Sequence, residues 1–213
     1  MHEALRYFIE KVVTFFSTEK YYQELLNAKN LYFEKTGKAL EEDPDYESRM
    51  SSFNDWYVLQ YKKNENDKTL IEKYIEENEV SEDLKKAVSS FEHSVYEFQG
   101  KGLMGTFVIK DLLHNKKIKL SKTHGAPSLV KGDLFLGRVA SYGDEYYMFN
   151  GLCLIPRQAK RNLMKQIRKV NKYDDLQVEH NFLLKTEAMK TKWLRYGHVN
   201  VERIFVYPDV PLQ

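Results

Sequence analysis

Cys153 is the only cysteine in the 213 residues, so no disulfide framework can form within one chain, and such sparing use of thiol fits a reducing compartment. No apolar run approaches the roughly 18 to 20 residues that cross a bilayer. The opening Met1-His2-Glu3-Ala4 lacks a basic region followed by an apolar stretch, so no secretory signal is read there. The expectation is a cytoplasmic protein. No internal repeat and no low-complexity segment occurs. Hydrophobic residues make up 42% and charged residues 30%, the balance of a folded globular chain and not of a disordered one. The length suits one domain or a helical domain plus a β domain.

Catalytic and metal motifs are equally scarce. Gly100-Lys101-Gly102-Leu103-Met104-Gly105 matches G-x-G-x-x-G, but a dinucleotide fingerprint must follow a strand and open a helix. The text that follows, TFVIKD, reads as β, so the glycines are assigned to a turn or bulge. The six histidines, His2, His93, His114, His124, His180 and His198, form no i, i+4 pair, and one cysteine completes no zinc set. Cys153 sits in GLCLIP, where a small buried hydrophobe is the usual role. The carboxylates from Glu41 to Glu97 read as solvated helix faces, with no pair set into apolar sequence so as to raise a pKa. No nucleophile–base, metal or phosphate-loop arrangement is legible, and no cofactor is expected.

What is present is helical text around a β centre. Leu5, Phe8, Ile9, Val12, Val13 and Phe16 make one helical stripe. Ser17 is placed to cap a second helix carrying Tyr22, Leu25, Leu26, Tyr32 and Phe33, ending at Gly37. Asp43-Pro44 starts a third, with Tyr46, Met50, Phe53 and Tyr57. Asp67 and Ser81 are read as caps of helices 68–78 and 82–92. From Ser94 to Pro156 the period changes to two: SVYEFQ, GTFVIKDLL, KKIKLS, DLFLGRVASY and EYYMFNGLCLIP read as short antiparallel strands. Leu113-His114-Asn115-Lys116 and Gly143-Asp144 are the hairpin tips. A basic helix 157–172 and a longer one from Asp174 through Trp193 follow, and HVNVERIFVY is read as a strand returning to the sheet. The fold class is α+β: an N-terminal helical layer (1–92), a small antiparallel sheet or barrel-like unit (93–156), and C-terminal helices with a returning strand (157–213).

Charge is unevenly spread. Residues 1–40 carry a net +1, residues 41–97 a net −9 and residues 98–213 a net +10. The two fields can neutralise each other within the fold, or each can meet a partner of opposite sign. The basic helix concentrates Arg157, Lys160, Arg161, Lys165, Arg168, Lys169 and Lys172 around an apolar strip of Leu163, Ile167 and Val170. Lys116, Lys117, Lys119 and Lys122 form a second cluster on the hairpin, with Tyr142, Tyr146, Tyr147 and Phe149 near in sequence. Cations that neutralise phosphates, with aromatic faces for base stacking, are how barrel-type modules hold single strands.

FNDWYVLQYKKNENDKTLIEKYIEEN at 53–78 and VYEFQGKGLMGTFVIKDLLHNKKIKL with LVKGDLFLGRV at 95–139 together resemble a region of bacterial proteins that carry a SEC-C zinc motif. The resemblance covers about residues 46–172. It implies the fold and a bacterial origin, and it carries over no functional residue, because the cysteine-rich zinc motif is absent here. The functional expectation is a non-enzymatic intracellular interaction (adapter) module that binds another macromolecule. The alternative is RNA or single-stranded DNA binding through the basic C-terminal half. An exposed Tyr146 or Tyr147 beside the basic helix would favour nucleic acid, and an apolar groove beside the N-terminal helices a protein partner.

Overall fold

The computed structural model describes residues 1–64, 66–102, 105–124 and 128–208 and begins with five helices. In α1 (Glu3–Phe15) the stripe Leu5, Phe8, Ile9 and Val12 is buried, each side chain contributing roughly 1.5–3 kcal/mol through loss of water contact. α3 (Tyr46–Leu59) packs on it, and α2 (Tyr22–Thr36) packs on α3. Tyr32, Phe33, Phe53, Trp56, Tyr57 and Tyr61 interlock there in tilted, edge-on and, for Phe53–Tyr57, stacked contacts. α4 (Leu70–Glu77) and α5 (Glu82–Ser89) complete the layer.

The helix starts differ from the sequence reading where a nearer side chain wins. Ser17 donates back to the Val13 carbonyl at 2.7 Å and caps nothing; a short 3₁₀ turn over Glu19–Tyr21 leads into α2 instead. α4 is opened by Thr69 and not Asp67: Glu72 reaches back to the Thr69 N–H at 2.7 Å while Thr69 Oγ1 accepts from the Glu72 N–H, a reciprocal capping box. Ser81 stands at the start of α5 without a side-chain cap bond, and that helix stops at Ser89 because β1 begins at Glu92.

The centre is antiparallel. β1 (Glu92–Lys101), β2 (Phe107–Asp111), β3 (Lys116–Lys119), β4 (Leu134–Tyr142), β5 (Glu145–Met148) and β6 (Cys153–Ile155) form a half-barrel in the order β3-β2-β1-β4-β5. β5 pairs with the last residues of β4, and β6 with its first, so the two short strands share one edge of β4. Gly100, at φ 98°, takes up the bulge where the β1–β2 register shifts after Phe98. Leu103 and Met104 of the glycine-rich stretch lie outside the described residues. Leu120, just past β3, bridges to Tyr146 of β5, and the Ser121 N–H donates to the Tyr146 carbonyl at 2.9 Å, drawing the two outer strands together. Tyr96, Phe98, Ile109, Ile118, Phe135 and Val139 fill the concave side. Val95, Leu134 and Leu136 point to the other side, against the C-terminal helices.

α6 (Lys160–Val170) buries Leu163, Ile167 and Val170 on that outer face, and α7 (Leu176–Arg195) lies beside it, opened by Asp175 and not Asp174. The expected returning strand is a helix, α8 (Val201–Ile204). Asn200 accepts from the Glu202 N–H at 2.8 Å, and Val201, Ile204 and Phe205 reach the core at spacings of three and four, a helical period that VERIF already contained. Among the described residues no helix is long and apolar enough to cross a membrane.

Candidate functional site

His93 on β1 and Arg138 on β4 stand opposite each other in the sheet register. Both occur where the alternation of their strands points toward the helices, alongside Val95 and Leu136. Three helical side chains close over them. Gln60, at the C-terminal end of α3, presents its side-chain oxygen to Arg138 Nε at 2.8 Å and Nη2 at 2.5 Å. Its amide nitrogen lies 3.2 Å from Nδ1 of His180, in the second turn of α7. Trp56, one turn before Gln60 on α3, has its indole nitrogen 3.5 Å from His180 Nε2. The His93 and His180 rings lie 6.5 Å apart between centroids.

Trp56, Gln60, His93 and His180 form the floor of a cleft of about 1230 Å³ framed by α2, the end of α3, the start of β1 and the first turns of α7, with Arg138 buried behind Gln60. Leu31 and Leu176 stand at its edge, 37% and 83% exposed, with Lys35, Lys62 and Lys63 around the mouth. Glu179 is the acidic side chain lining it, and it is engaged by His114 Nε2 at 3.4 Å.

The electrostatics of the floor are unusual. Arg138 is only 2% exposed, and no carboxylate of the described residues lies within 4 Å of it. A buried guanidinium normally keeps an acidic partner, because desolvating a charge is costly. Here Asp55 and Glu187 are the carboxylates whose ionisation its field assists. Burial nevertheless pushes Asp55 up to about 6, against Arg138 and the Gly151 N–H that bonds it at 2.9 Å. The expectation that residues 41–97 hold only solvated carboxylates fails at Asp55, which is 3% exposed and packed between α3 and the loop after β5. Burial, then the Arg138 and Lys35 charges, bring His180 down to about 4, and burial with Arg138 and His180 holds His93 well below the ordinary imidazole range. Both rings are therefore neutral near pH 7, and His93 Nδ1 is a buried nitrogen without a hydrogen-bond partner.

The basic residues singled out in the sequence divide into two groups. Arg157 is bound to Asp133 through Nε at 3.0 Å and Nη2 at 2.8 Å, Lys160 to Glu97 at 2.6 Å and Lys116 to Glu92 at 2.7 Å. Lys160–Glu97 and Lys116–Glu92, with Lys190–Asp45 and Arg195–Asp43, join the acidic stretch to the basic half within one chain, whereas Arg157–Asp133 lies inside the basic half. Arg161, Lys165, Arg168, Lys169 and Lys172 lie exposed along the outer side of α6, and Lys117 and Lys119 on the outer side of β3. The end of α6 is tied to the β2–β3 hairpin where Asn171 donates to the Leu113 carbonyl at 2.7 Å. Of the aromatic residues expected near them, Tyr147 and Phe149 are buried and Tyr142 packs on the His2 ring, while the half-buried Tyr146 lies under Lys116 of the hairpin.

Arg138 and His93 were not picked out from the sequence. The available signal was a charge inside the apolar strand DLFLGRVASY, at a position whose neighbours two residues away face the core. Gln60 and His180 carried no such signal, since nothing local indicates that they meet.

A protein-family model matches residues 1–183, and its description is a family of unknown function (DUF7986). Comparison with curated proteins and with solved structures finds no match.

Proposed function

Since this chain belongs to the DUF7986 family, whose description names no activity, we propose from the geometry that it is a non-enzymatic interaction module whose cleft receives an acidic, apolar segment of a partner protein. The observation that carries the reading is the combination of exposed Leu31 and Leu176 with Lys35, Lys62 and Lys63 around one cleft beside the N-terminal helices. Single exposed apolar side chains are ordinary, but apolar side chains gathered in a concave site and ringed by one sign of charge select a complementary chain. At about 1230 Å³ the cleft exceeds the usual 300–1,000 Å³ of small-molecule sites, which suits an extended segment.

The test is fluorescence anisotropy with a labelled peptide of alternating Glu and Leu, and a Lys/Leu peptide as control. Lys35→Glu/Lys62→Glu/Lys63→Glu should weaken the Glu/Leu peptide by about tenfold or more, at roughly 0.5 kcal/mol per exposed charge. Lys165→Gln/Arg168→Gln/Lys169→Gln should leave it unchanged. Equal binding of the Lys/Leu peptide, or loss of binding only in the α6 variant, overturns the reading.

A second reading is polyanion binding along α6, favoured by the five cations on its outer side, whose apolar strip is turned into the core. Tyr173, 47% exposed just past α6, offers one stacking face beside them, where single-strand binders stack successive bases on several. A titration with single-stranded RNA tests it: the log–log salt slope should approach −0.7 per contact and fall by about two to three contacts in the α6 variant.

A further inference from the structure

His114, in the turn between β2 and β3, touches two carboxylates in different settings. Asp111 is fully buried, and its Oδ1 accepts from the Ser94 hydroxyl at 2.5 Å and from the Leu113 and His114 N–H groups at 2.9 and 3.0 Å. Its Oδ2 meets His114 Nδ1 at 2.9 Å. Glu179, in the first turn of α7, lines the cleft and stands 3.4 Å from His114 Nε2. The imidazole side chain is 41% exposed, so it exchanges protons with water.

These contacts decide which nitrogen titrates. Asp111 acts as acceptor to each of these partners, so Nδ1 must carry a proton to meet Oδ2. The other neutral tautomer would turn a lone pair on a buried carboxylate at 2.9 Å in order to spare a part-exposed one at 3.4 Å. The proton that comes and goes is therefore the one on Nε2. Protonated, the ring donates to both carboxylates and offsets the Glu179 charge. Neutral, it sets a lone pair against Glu179 and leaves that charge bare on the cleft wall. Burial works to lower the pKa of the ring, but the bonds and charges of Asp111 and Glu179 raise it above the ordinary imidazole value. The end of α6, tied to the same turn, brings the uncharged amide of Asn171, with Lys172 exposed beside it, and Lys116 of the hairpin is held by Glu92.

We propose that His114 and Glu179 form a proton switch that sets the charge of the cleft wall. Among the described residues that line the cleft, Glu179 is the one acid set against Lys35, Lys62 and Lys63. With His114 protonated, an acidic segment meets the three lysines and an offset Glu179. With the ring neutral, it meets a bare carboxylate and is held less tightly. The switch rests on the reading of the cleft as the partner-binding surface, for it regulates that same site. By reciprocity, an acidic occupant must hold the proton on His114 to higher pH.

The experiment uses the full chain labelled with nitrogen-15, from about pH 6 to about pH 9, a range that spans release of an imidazole proton. The ring-nitrogen shifts of His114, assigned against His114→Gln, report its titration and its neutral tautomer. Fluorescence anisotropy with the Glu/Leu peptide reports affinity over the same range. In the wild type the neutral ring should carry its proton on Nδ1, and affinity should fall by about two- to fivefold as the ring loses its charge, the worth of one partly exposed charge pair. Glu179→Gln removes the opposing charge, so His114 should titrate at lower pH and the peptide should keep its affinity throughout. His114→Gln should bind at about pH 6 as weakly as the wild type does at about pH 9. A His114 titration that is the same in the wild type and in Glu179→Gln overturns the proposal without any peptide. So does a neutral ring with its proton on Nε2, or a fall of affinity with pH that persists unchanged in Glu179→Gln. If the titration moves in Glu179→Gln and the peptide fails to bind, the switch stands and the partner reading falls. If the peptide binds equally well at both ends of the range, the switch falls and the partner reading stands.

Discussion

The Tyr32 hydroxyl lies 2.8 and 2.9 Å from the two carboxylate oxygens of Glu187, tying α2 to α7 across 155 positions. Both side chains are buried, and burial raises the Glu187 carboxyl although the Tyr32 bond and the charges of Arg138 and Arg49 work to lower it. Tyr32→Phe removes the donor and leaves a buried acid short of a partner, a loss of about 1–3 kcal/mol. Glu187→Gln keeps an oxygen for the hydroxyl and sheds the charge that burial disfavours, so its loss should be the smaller of the two. Urea unfolding of both variants at neutral pH checks the order; the reverse order refutes the account.

Asp55 gives a pH signature. Because its carboxyl stands at about 6 in the fold against 3.8 ordinarily, the folded chain keeps a proton that the unfolded chain has released between those values. Its contribution to stability therefore declines as pH rises through that window. Asp55→Asn, whose side-chain oxygen can still accept from the Gly151 N–H, should be more stable than wild type at about pH 8, by at most about 3 kcal/mol at 1.36 kcal/mol per unit. The gain should vanish below about pH 4. His180 has the opposite sign: the unfolded imidazole takes a proton near 6.5 and the folded one only near 4, so stability is lost as pH falls through that range. The two trends offset each other in the wild type, and Asp55→Asn should uncover the His180 loss. Thermal melts from pH 4 to pH 8 on both proteins read this directly.

Gly151 is the contact point between α3 and the loop after β5. A Cβ there would come within 2.6 Å of both Asp55 Oδ2 and the Ser52 backbone. Gly151→Ala should cost about 1–3 kcal/mol by overpacking. The double variant Gly151→Ala/Asp55→Ala, which clears one of the two obstacles, should recover part of the loss in a double-mutant cycle, and strict additivity would show that the clash lies with the Ser52 backbone alone.

The ion pairs Glu92–Lys116, Glu97–Lys160 and Asp43–Arg195 span the acidic and basic stretches. Exposed pairs are each worth about 0–1 kcal/mol and are screened by salt. Stability should fall modestly as salt rises from low to moderate levels, and Lys160→Met should flatten that dependence slightly. A response that rises with salt would mean that repulsion among the α6 cations outweighs these pairs.

The layers and most element positions were legible because they rest on local periodicity: the Leu5 to Phe16 stripe, the alternation of Lys117, Ile118 and Lys119, and the turn residues at Asn115 and Gly143. Caps were less legible. Asp67 and Thr69 are both cap types two residues apart, and only the reach of Glu72 decides between them. VERIF was read as a strand from its β-branched residues, whereas its spacing toward the core is helical. The cleft floor was beyond local reading, since Trp56, Gln60, His93, Arg138 and His180 come from α3, two strands and α7. Arg138 alone broke a local rule, by placing a charge at a core-facing strand position.

The meeting of Leu120 with Tyr146 has a consequence for how this molecule tolerates its neighbours. An open sheet exposes a row of unsatisfied backbone groups at each rim, which recruits extended peptides and seeds fibrils. Here the rims lean together, one of them ends in the three-residue β6, and β3 spans only four residues. Donor-strand exchange has no long template to copy, so copies of the chain at high concentration are kept from zippering together through their backbones, and recognition is left to side chains.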